Sequence, residues 1–247
     1  YKPVVEMQFA DFVSCGFNQI VNNLAKTHYR WDAPLNVTLR MPCGGELSAG
    51  PFHSQNPESW FFHVPGLKIV YPSSPADVKG LLVSSIEDPN PVLFFEHKGL
   101  YRSVKGDVSV DLYNFPLGKA NIVRIGSNAT IVTYGKAVHW AVDLVTRLDV
   151  SVEIIDLRTL VPWDRQTVLA SIQKTNRALV LHEANITGGI GAEIASTISE
   201  EAFELLDAPV KRIASLDTPI PFASHIEKNV YLPHKRFESA LRELLEY

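Results

Sequence analysis

From Asn128 to the last residue the chain alternates short apolar runs with longer segments of helical period. NATIVTYG is followed by AVHWAVDLVTRL, VSVEIIDLR by DRQTVLASIQKT, ALVLHEA by GGIGAEIASTISEEAFELL, and VKRIAS, in the end, by HKRFESALRELLEY. An apolar run too short for a helix, followed by a segment with one apolar stripe, predicts a strand feeding a crossover helix, and serial units of this kind build a parallel sheet with right-handed connections. The last stripe, Phe237, Leu241, Leu244 and Leu245, is expected to pack on its own domain.

The first half repeats the pattern less evenly. PVVEMQF reads as a buried strand, and DFVSCGFNQIVNNLAKTHY as a helix with Val13, Phe17, Ile20, Leu24 and His28 at helical spacing and Asp11 as its cap. A short strand over 37–40, a glycine-rich loop and a helix starting near Pro57 come next. LKIVYP, SPADVKGLLVSSIED and PVLFFEH then read as strand, helix and strand, with Val78, Leu81, Leu82 and Ile86 on the helix's apolar face. Between Arg102 and Ala120 the pattern dissolves into polar, turn-rich sequence. The expected organisation is therefore α/β with two parallel-sheet domains, residues 1–105 and 121–247, joined by a linker over 106–120. At 247 residues each domain is large enough to hold a core.

Composition narrows the function classes. A net charge of −4 gives no broad basic field, so nucleic acid is not the expected main partner. No apolar run approaches the roughly 20 residues of a membrane span. Cys15 and Cys43 form no paired motif, which excludes a disulfide framework and fits a reducing compartment such as a bacterial cytoplasm or a mitochondrial matrix. The chain starts YKPVVEMQF and enters a strand at once, so the natural polypeptide is expected to begin further upstream.

Few residues invite chemistry. His53, in PFHSQNPE, comes after the VTLR strand and a glycine-loaded loop, at the carboxyl end where open parallel sheets bind ligands. It is either a loop histidine bonded to backbone or a proton donor and acceptor near neutral pH. Phe12 stands where the first strand meets the first helix, as a core residue or as a face for a flat heterocycle, with Gln8 its polar neighbour. Asp88 and Asn90 make an ordinary helix-to-strand turn, or part of a backbone-carbonyl site for a monovalent cation. The Thr187–Gly191 loop after His182 and Glu183 matches neither GxGxxG nor GxxxxGK[ST], so tight helix packing accounts for its glycines better than a phosphate cradle. Cys43 is read as a small loop residue. No serine elbow or HExxH is present. On the residues alone the reading stops at a two-domain α/β protein with a candidate site around His53.

Longer stretches carry more. VEMQFADFVSCGFNQIVNNLAK, TLRMPCGG, FHSQNPESWFFHVPGLKIVYPSSPADVKGLLVSSIEDPNPVLFFEHKGLYR, EIIDLRTLVPWD and LHEANITGGIGAEIAS, in this order, strongly resemble the beta subunits of thiamine diphosphate-dependent 2-oxo acid dehydrogenases. The resemblance runs along essentially the whole chain. It implies a transketolase-like pyrimidine-binding domain, incomplete at its start, followed by a transketolase-type C-terminal domain. His53 then matches the histidine of the family's HSQ motif, a proton donor or charge stabiliser in acyl transfer to a lipoyl group. Phe12 matches the aromatic residue that stacks on the aminopyrimidine; branched-chain members often have tyrosine there, so a hydroxyl contact is missing here. Gln8 matches a glutamine of the cofactor pocket. A potassium site found in some members falls on Leu35, Val37, Thr38, Ser85, Asp88 and Asn90, mostly through backbone oxygens, although Leu35, Val37 and Ser85 diverge from the family pattern.

The resemblance also implies what must come from elsewhere. The glutamate that activates the cofactor precedes PVVEMQFADF in the family, and magnesium with the diphosphate is held by a GDG-type motif of the alpha subunit; neither lies in this sequence. The chain is therefore expected to be inactive alone. It would work with an alpha subunit or alpha-like half, in a heterotetramer or a dimer of fused chains, decarboxylating a 2-oxo acid and passing the acyl group to a lipoyl-bearing acyltransferase second component. A branched-chain substrate such as 2-oxoisovalerate is expected, with pyruvate or acetoin-type chemistry as alternatives. Glu243, Glu246 and the Tyr247 carboxylate are candidates for the second component's docking face. Two rivals remain. A transketolase-like enzyme acting on sugar phosphates would want basic residues near His53, where the sequence offers Arg40, and a non-catalytic assembly module would keep the second domain and let the first decay.

Overall fold

The structure, a computed structural model, describes residues 1–247. Along the chain come β1 (Val4–Glu6), a helical run, α1 (Ala25–Trp31), β2 (Thr38–Cys43), α2 (Ser59–Phe62), β3 (Lys68–Val70), α3 (Pro75–Glu87), β4 (Val92–His97) and α4 (Leu100–Ser103). They are succeeded by β5 (Asn121–Arg124), β6 (Ala129–Thr133), α5 (Lys136–Leu148), β7 (Val152–Asp156), β8 (Thr159–Val161), α6 (Arg165–Thr175), β9 (Ala178–Asn185), α7 (Ile190–Glu201), β10 (Lys211–Ser215), α8 (Ser224–Ile226) and α9 (His234–Glu246). No helix is long and apolar enough to cross a membrane.

The chain divides into two compact units, one of residues 1–119 and 158–163, the other of 120–157 and 164–247. In the first, the strand order is β1-β2-β4-β3-β8; the first four are parallel, and β8 runs antiparallel to β3 at the edge. The central β4 is buried at every position, as a strand covered on both faces must be. Ser74 caps α3 by accepting the Asp77 N–H, with Pro75 at the first helical position. Much of the segment 106–120, read from sequence as a linker, lies on α3. Phe115 N–H donates to the Gly80 carbonyl, and a Cβ on Gly80 would stand 2.6 Å from the Phe115 ring, so only glycine admits this approach.

In the second unit the order is β10-β9-β6-β7-β5, again four parallel strands with one antiparallel edge, β5. Ala137, Trp140, Ala141, Leu144 and Val145 of α5 recur on one helical face and join Ile131, Ile154, Leu179 and Leu181 in one core. Phe237, Leu241 and Leu244 of α9 enter the same core, so the last helix packs within its own unit as its stripe predicts. Burial of each such side chain stabilises by about 1.5–3 kcal/mol.

Several local expectations need correction. PVVEMQF yields a strand of three residues, Val4–Glu6, and it is exposed: Val4 and Val5 keep 45% and 47% of their surface, because β1 is an edge strand. The first helix changes pitch along its length, from 3-10 over Ala10–Gly16 to π over Gln19–Leu24 to α over Ala25–Trp31. Near Pro57 the helix is a single turn starting at Ser59. On α3 it is Leu81 that is buried, with Asp77, Gly80 and Ser85, while Val78 is 37% exposed.

Candidate functional site

In the first sheet β1 ends beside Arg40 of β2, which runs on to Cys43, with β4 next in order. Beyond β1 the chain passes through Gln8, exposed, to Phe9 and the 3-10 turn that carries Phe12. Beyond β2 it enters the loop that carries His53. The His53 imidazole meets two aromatic rings edge to face: Phe9 at 4.8 Å between centroids and 86°, and Phe12 at 5.5 Å and 76°. Phe9 and Phe12 are themselves nearly perpendicular, at 6.4 Å. The half-buried imidazole is thus held by two phenyl rings, while Phe12 keeps 45% of its surface free.

The loop is fastened just after His53. Gln55 N–H donates to Asp11 Oδ1 at 2.9 Å, the Gln55 carbonyl accepts the Gly44 N–H at 3.1 Å, and Asn56 Oδ1 accepts the Tyr71 hydroxyl at 2.7 Å. Gly44 has φ +89°, and a Cβ there would fall 2.2 Å from the His97 ring, so the turn out of β2 needs glycine on both counts. The sequence casts Asp11 as the cap of its helix; instead its side chain reaches across to the loop.

After β4, Lys98 places Nζ over the Phe9 ring, 5.5 Å from its centroid. Beneath the site Arg40 of β2 grips Glu96 of β4 at two points, 2.5 and 2.7 Å, and reaches Glu6 of β1 at 3.0 Å, while the Tyr101 hydroxyl donates to Glu96 at 2.6 Å. This network ties three neighbouring strands just before the site. Burial and the Glu96 hydrogen bond push the Tyr101 phenol well above its usual range, so it stays a proton donor. The Glu96 hydrogen bond likewise raises the Arg40 guanidinium. Arg40 is thereby committed to carboxylates rather than offered to a phosphate.

The six residues implied for potassium fall at the opposite, amino end of the same sheet, around the start of β2 and the end of α3. Their side chains are largely engaged: Asp88 pairs with Lys68 and accepts the Asn90 N–H, Asn90 Oδ1 meets His28 Nδ1 at 2.7 Å, and Ser85 Oγ donates to the Leu81 carbonyl at 2.7 Å. The Val37 carbonyl accepts from Val92, and the Leu35 carbonyl from Val37. Thr38 Oγ1 is buried with no hydrogen-bond partner, an orphaned oxygen. A donor set of one hydroxyl and carbonyl oxygens suits a hard monovalent cation. No group of three or more His, Cys, Asp or Glu side chains converges as a metal cluster elsewhere in the chain.

In the second unit His182, near the end of β9, is fully buried. It lies along Tyr134 at 6.1 Å, under Gly189 and Gly191, where a Cβ would come within 2.5 and 2.7 Å of its ring. Burial pushes it down to about 4, so it is neutral packing rather than a proton carrier. The Thr187 N–H and hydroxyl go to Asp217, which puts a carboxylate where a phosphate would sit. Glu243 pairs with Lys211 at 2.5 Å; Glu246 and Tyr247 are exposed at the end of the chain.

Sequence reasoning named His53, Phe12 and Gln8, and the first two prove to be in contact. It missed Phe9, Asp11 and Lys98. Phe9 and Asp11 lie within the QFAD block itself, so the block held a signal, but nothing in the spacing said that Asp11 would face a residue 44 positions on.

Known proteins share both the sequence and the fold. Residues 1–104 match the family described as transketolase, pyrimidine binding domain, and residues 118–236 the family described as transketolase, C-terminal domain. The chain is 45% identical to 2-oxoisovalerate dehydrogenase subunit beta 2, mitochondrial, of Arabidopsis thaliana, over 100% of the chain and 70% of that protein. The 2-oxoisovalerate dehydrogenase subunit beta of Bacillus subtilis is 42% identical over 100% of the chain and 77% of its own length. A pyruvate dehydrogenase E1 component subunit beta of Staphylococcus epidermidis is 40% identical over 96% of the chain and 74% of its own. Among solved structures, a split-gene transketolase described as an inactive beta4 tetramer superposes with TM-score 0.81 at 21% identity, covering 99% of this chain and 77% of that one, which supports the fold alone.

Proposed function

Since the chain belongs to the family of 2-oxo acid dehydrogenase beta subunits, we propose that it serves an enzyme that decarboxylates a branched-chain 2-oxo acid and passes the acyl group to a lipoyl domain. The observation that carries this reading is the contact of His53 with Phe12 beside a half-exposed aromatic face, at the carboxyl edge of a pyrimidine-binding domain.

The residues suit thiamine diphosphate. Phe12 offers a half-exposed ring to a flat heterocycle, and Gln8, four residues before it, an exposed amide. When bound, the cofactor supplies the electron sink that lets carbon dioxide leave. The rest falls to the protein. Phe9 and Phe12 hold the imidazole edge-on and keep water from its flanks. His53 donates a proton to the sulfur released as the lipoyl disulfide opens, and stabilises charge in that transfer. Thr38, with the carbonyls of Leu35, Val37, Ser85, Asp88 and Asn90, would hold potassium and stiffen the far end of the sheet. Magnesium and the diphosphate would be held by an alpha subunit, and the acyl group accepted by a lipoyl-bearing second component. The names of the relatives favour a mitochondrial matrix or a bacterial cytoplasm as the setting.

Two relatives named for 2-oxoisovalerate, at 45% and 42% identity, favour the branched-chain substrate. The 40% identity to a pyruvate dehydrogenase subunit supports pyruvate as the second reading. The test is calorimetric titration of thiamine diphosphate with magnesium into the chain, alone and mixed with an alpha subunit, and then turnover of 2-oxoisovalerate and pyruvate. Binding only in the mixture, with kcat/KM for 2-oxoisovalerate at least about tenfold higher, is expected. Preference for pyruvate would replace the branched-chain reading. Tight binding to the chain alone would overturn the shared site, and no binding in either case would favour an assembly module.

A further inference from the structure

Asp11 is 7% exposed, and it is neither a helix cap nor part of an ion pair. Its Oδ1 accepts the Gln55 N–H at 2.9 Å, across 44 positions of sequence. Its Oδ2 is buried with no hydrogen-bond partner, and so is Oγ of Ser54, the residue between His53 and Gln55. Burying a carboxylate with one oxygen unmet costs stability, so a need other than stability is required to account for it.

Position supplies that need. Asp11 directly precedes Phe12, and Gln55 stands two residues after His53, so one hydrogen bond spans the base of the ring-to-imidazole contact. The Gln55 peptide is also the point where the loop closes on β2, through its carbonyl and Gly44 N–H. Upstream of His53 the loop is looser: His53 N–H reaches the Gly50 carbonyl at 3.4 Å, and Phe52 is 69% exposed. A charge-assisted bond at this place fixes the imidazole relative to the aromatic face without touching either.

We propose that Asp11 is a positioning residue whose buried carboxylate fastens the His53 loop to the Phe12 helix and so sets the imidazole in its edge-on place. The consequence for acyl transfer rests on the function proposed above; the placement of the ring does not.

The test reads placement and chemistry separately. In the unsubstituted chain the Gln55 amide should exchange slowly with solvent, and the His53 Cε1–H resonance, assigned by its loss in His53→Gln, should be displaced by the ring currents of Phe9 and Phe12. Asp11→Ala should speed Gln55 exchange and return the His53 resonance toward that of an unstructured histidine. Asp11→Asn keeps an acceptor and should preserve both. In the enzyme reconstituted with an alpha subunit, Asp11→Ala should lower acyl transfer about tenfold, with less effect on decarboxylation read by an artificial electron acceptor, and Asp11→Asn should restore it. Fast Gln55 exchange in the unsubstituted chain overturns the proposal, as does an unmoved His53 resonance in Asp11→Ala. If Asp11→Ala fails to fold, amide exchange in the unsubstituted chain and the Asp11→Asn spectrum still decide. An inactive unsubstituted mixture would count against the proposed function and leave the spectra to judge Asp11.

Discussion

Both units use one sheet plan, four parallel strands with an antiparallel edge, and both bring a histidine to the carboxyl side of that sheet. In the second unit His182 is sealed beneath two glycines and lies flat along Tyr134. In the first, His53 stands half-buried between two phenyl rings met edge-on. The same residue type at the same end of the same architecture becomes packing in one case and a candidate proton donor in the other. What decides is the covering: α7 starts with glycines that bring backbone onto the ring, whereas the loop after β2 leaves an aromatic face open.

The contrast can be broken most forcefully with acid. His182 is held below its ordinary range when folded, so its neutral form contributes stability that is whole above about pH 6.5 and is lost as pH falls toward 4. Up to about 3 kcal/mol should disappear across that window, read by denaturant melts, and His182→Leu should flatten that part of the profile. An unchanged slope in the variant would mean that His182 is not a buried neutral group. Next in size is Gly189→Ala. Its Cβ would meet the Asn185 carbonyl at 2.6 Å and the His182 ring at 2.5 Å, so a loss of about 2 kcal/mol is expected in the same melts. A neutral result would show that backbone does not press on this histidine. The smallest effect in energy sharpens the other side. His53→Ala in the reconstituted enzyme should lower acyl transfer at least about tenfold, roughly 1.4 kcal/mol in the barrier, while decarboxylation with an artificial acceptor partly survives. Unchanged acyl transfer would remove His53 from that step.

Much of this was legible in the sequence. Buried β4, β6 and β7 announce themselves as apolar runs, and α3 and α6 fall within SPADVKGLLVSSIED and DRQTVLASIQKT, the segments whose period reads as helical. The strand β8 was hidden because three residues, Thr159–Val161, carry no period and read as the tail of a loop. The exposure of β1 was hidden because Val-Val reads as interior wherever it stands; strand order, not composition, put it at the edge. At the site, His53 and Phe12 were found through local words, but their meeting, and the carboxylate beneath them, depend on two loops closing from distant parts of the chain. Long-range hydrogen bonds such as Asp11 to Gln55 leave no spacing to read.

The small strand β8 has a consequence for how the molecule is made. Thr159–Val161 finish the sheet of the first unit, and Arg158 beside them supplies the guanidinium that pairs with Asp77 at 2.5 Å in the first turn of α3. On a ribosome, then, the first unit waits with the β3 edge bare while residues 120–157, the opening segment of the second unit, emerge ahead of β8. A bare strand edge is an invitation to wrong partners. Synthesis order thus leaves the unit that carries His53 open for that interval, and a nascent chain halted before Thr159 should be a form in need of a chaperone.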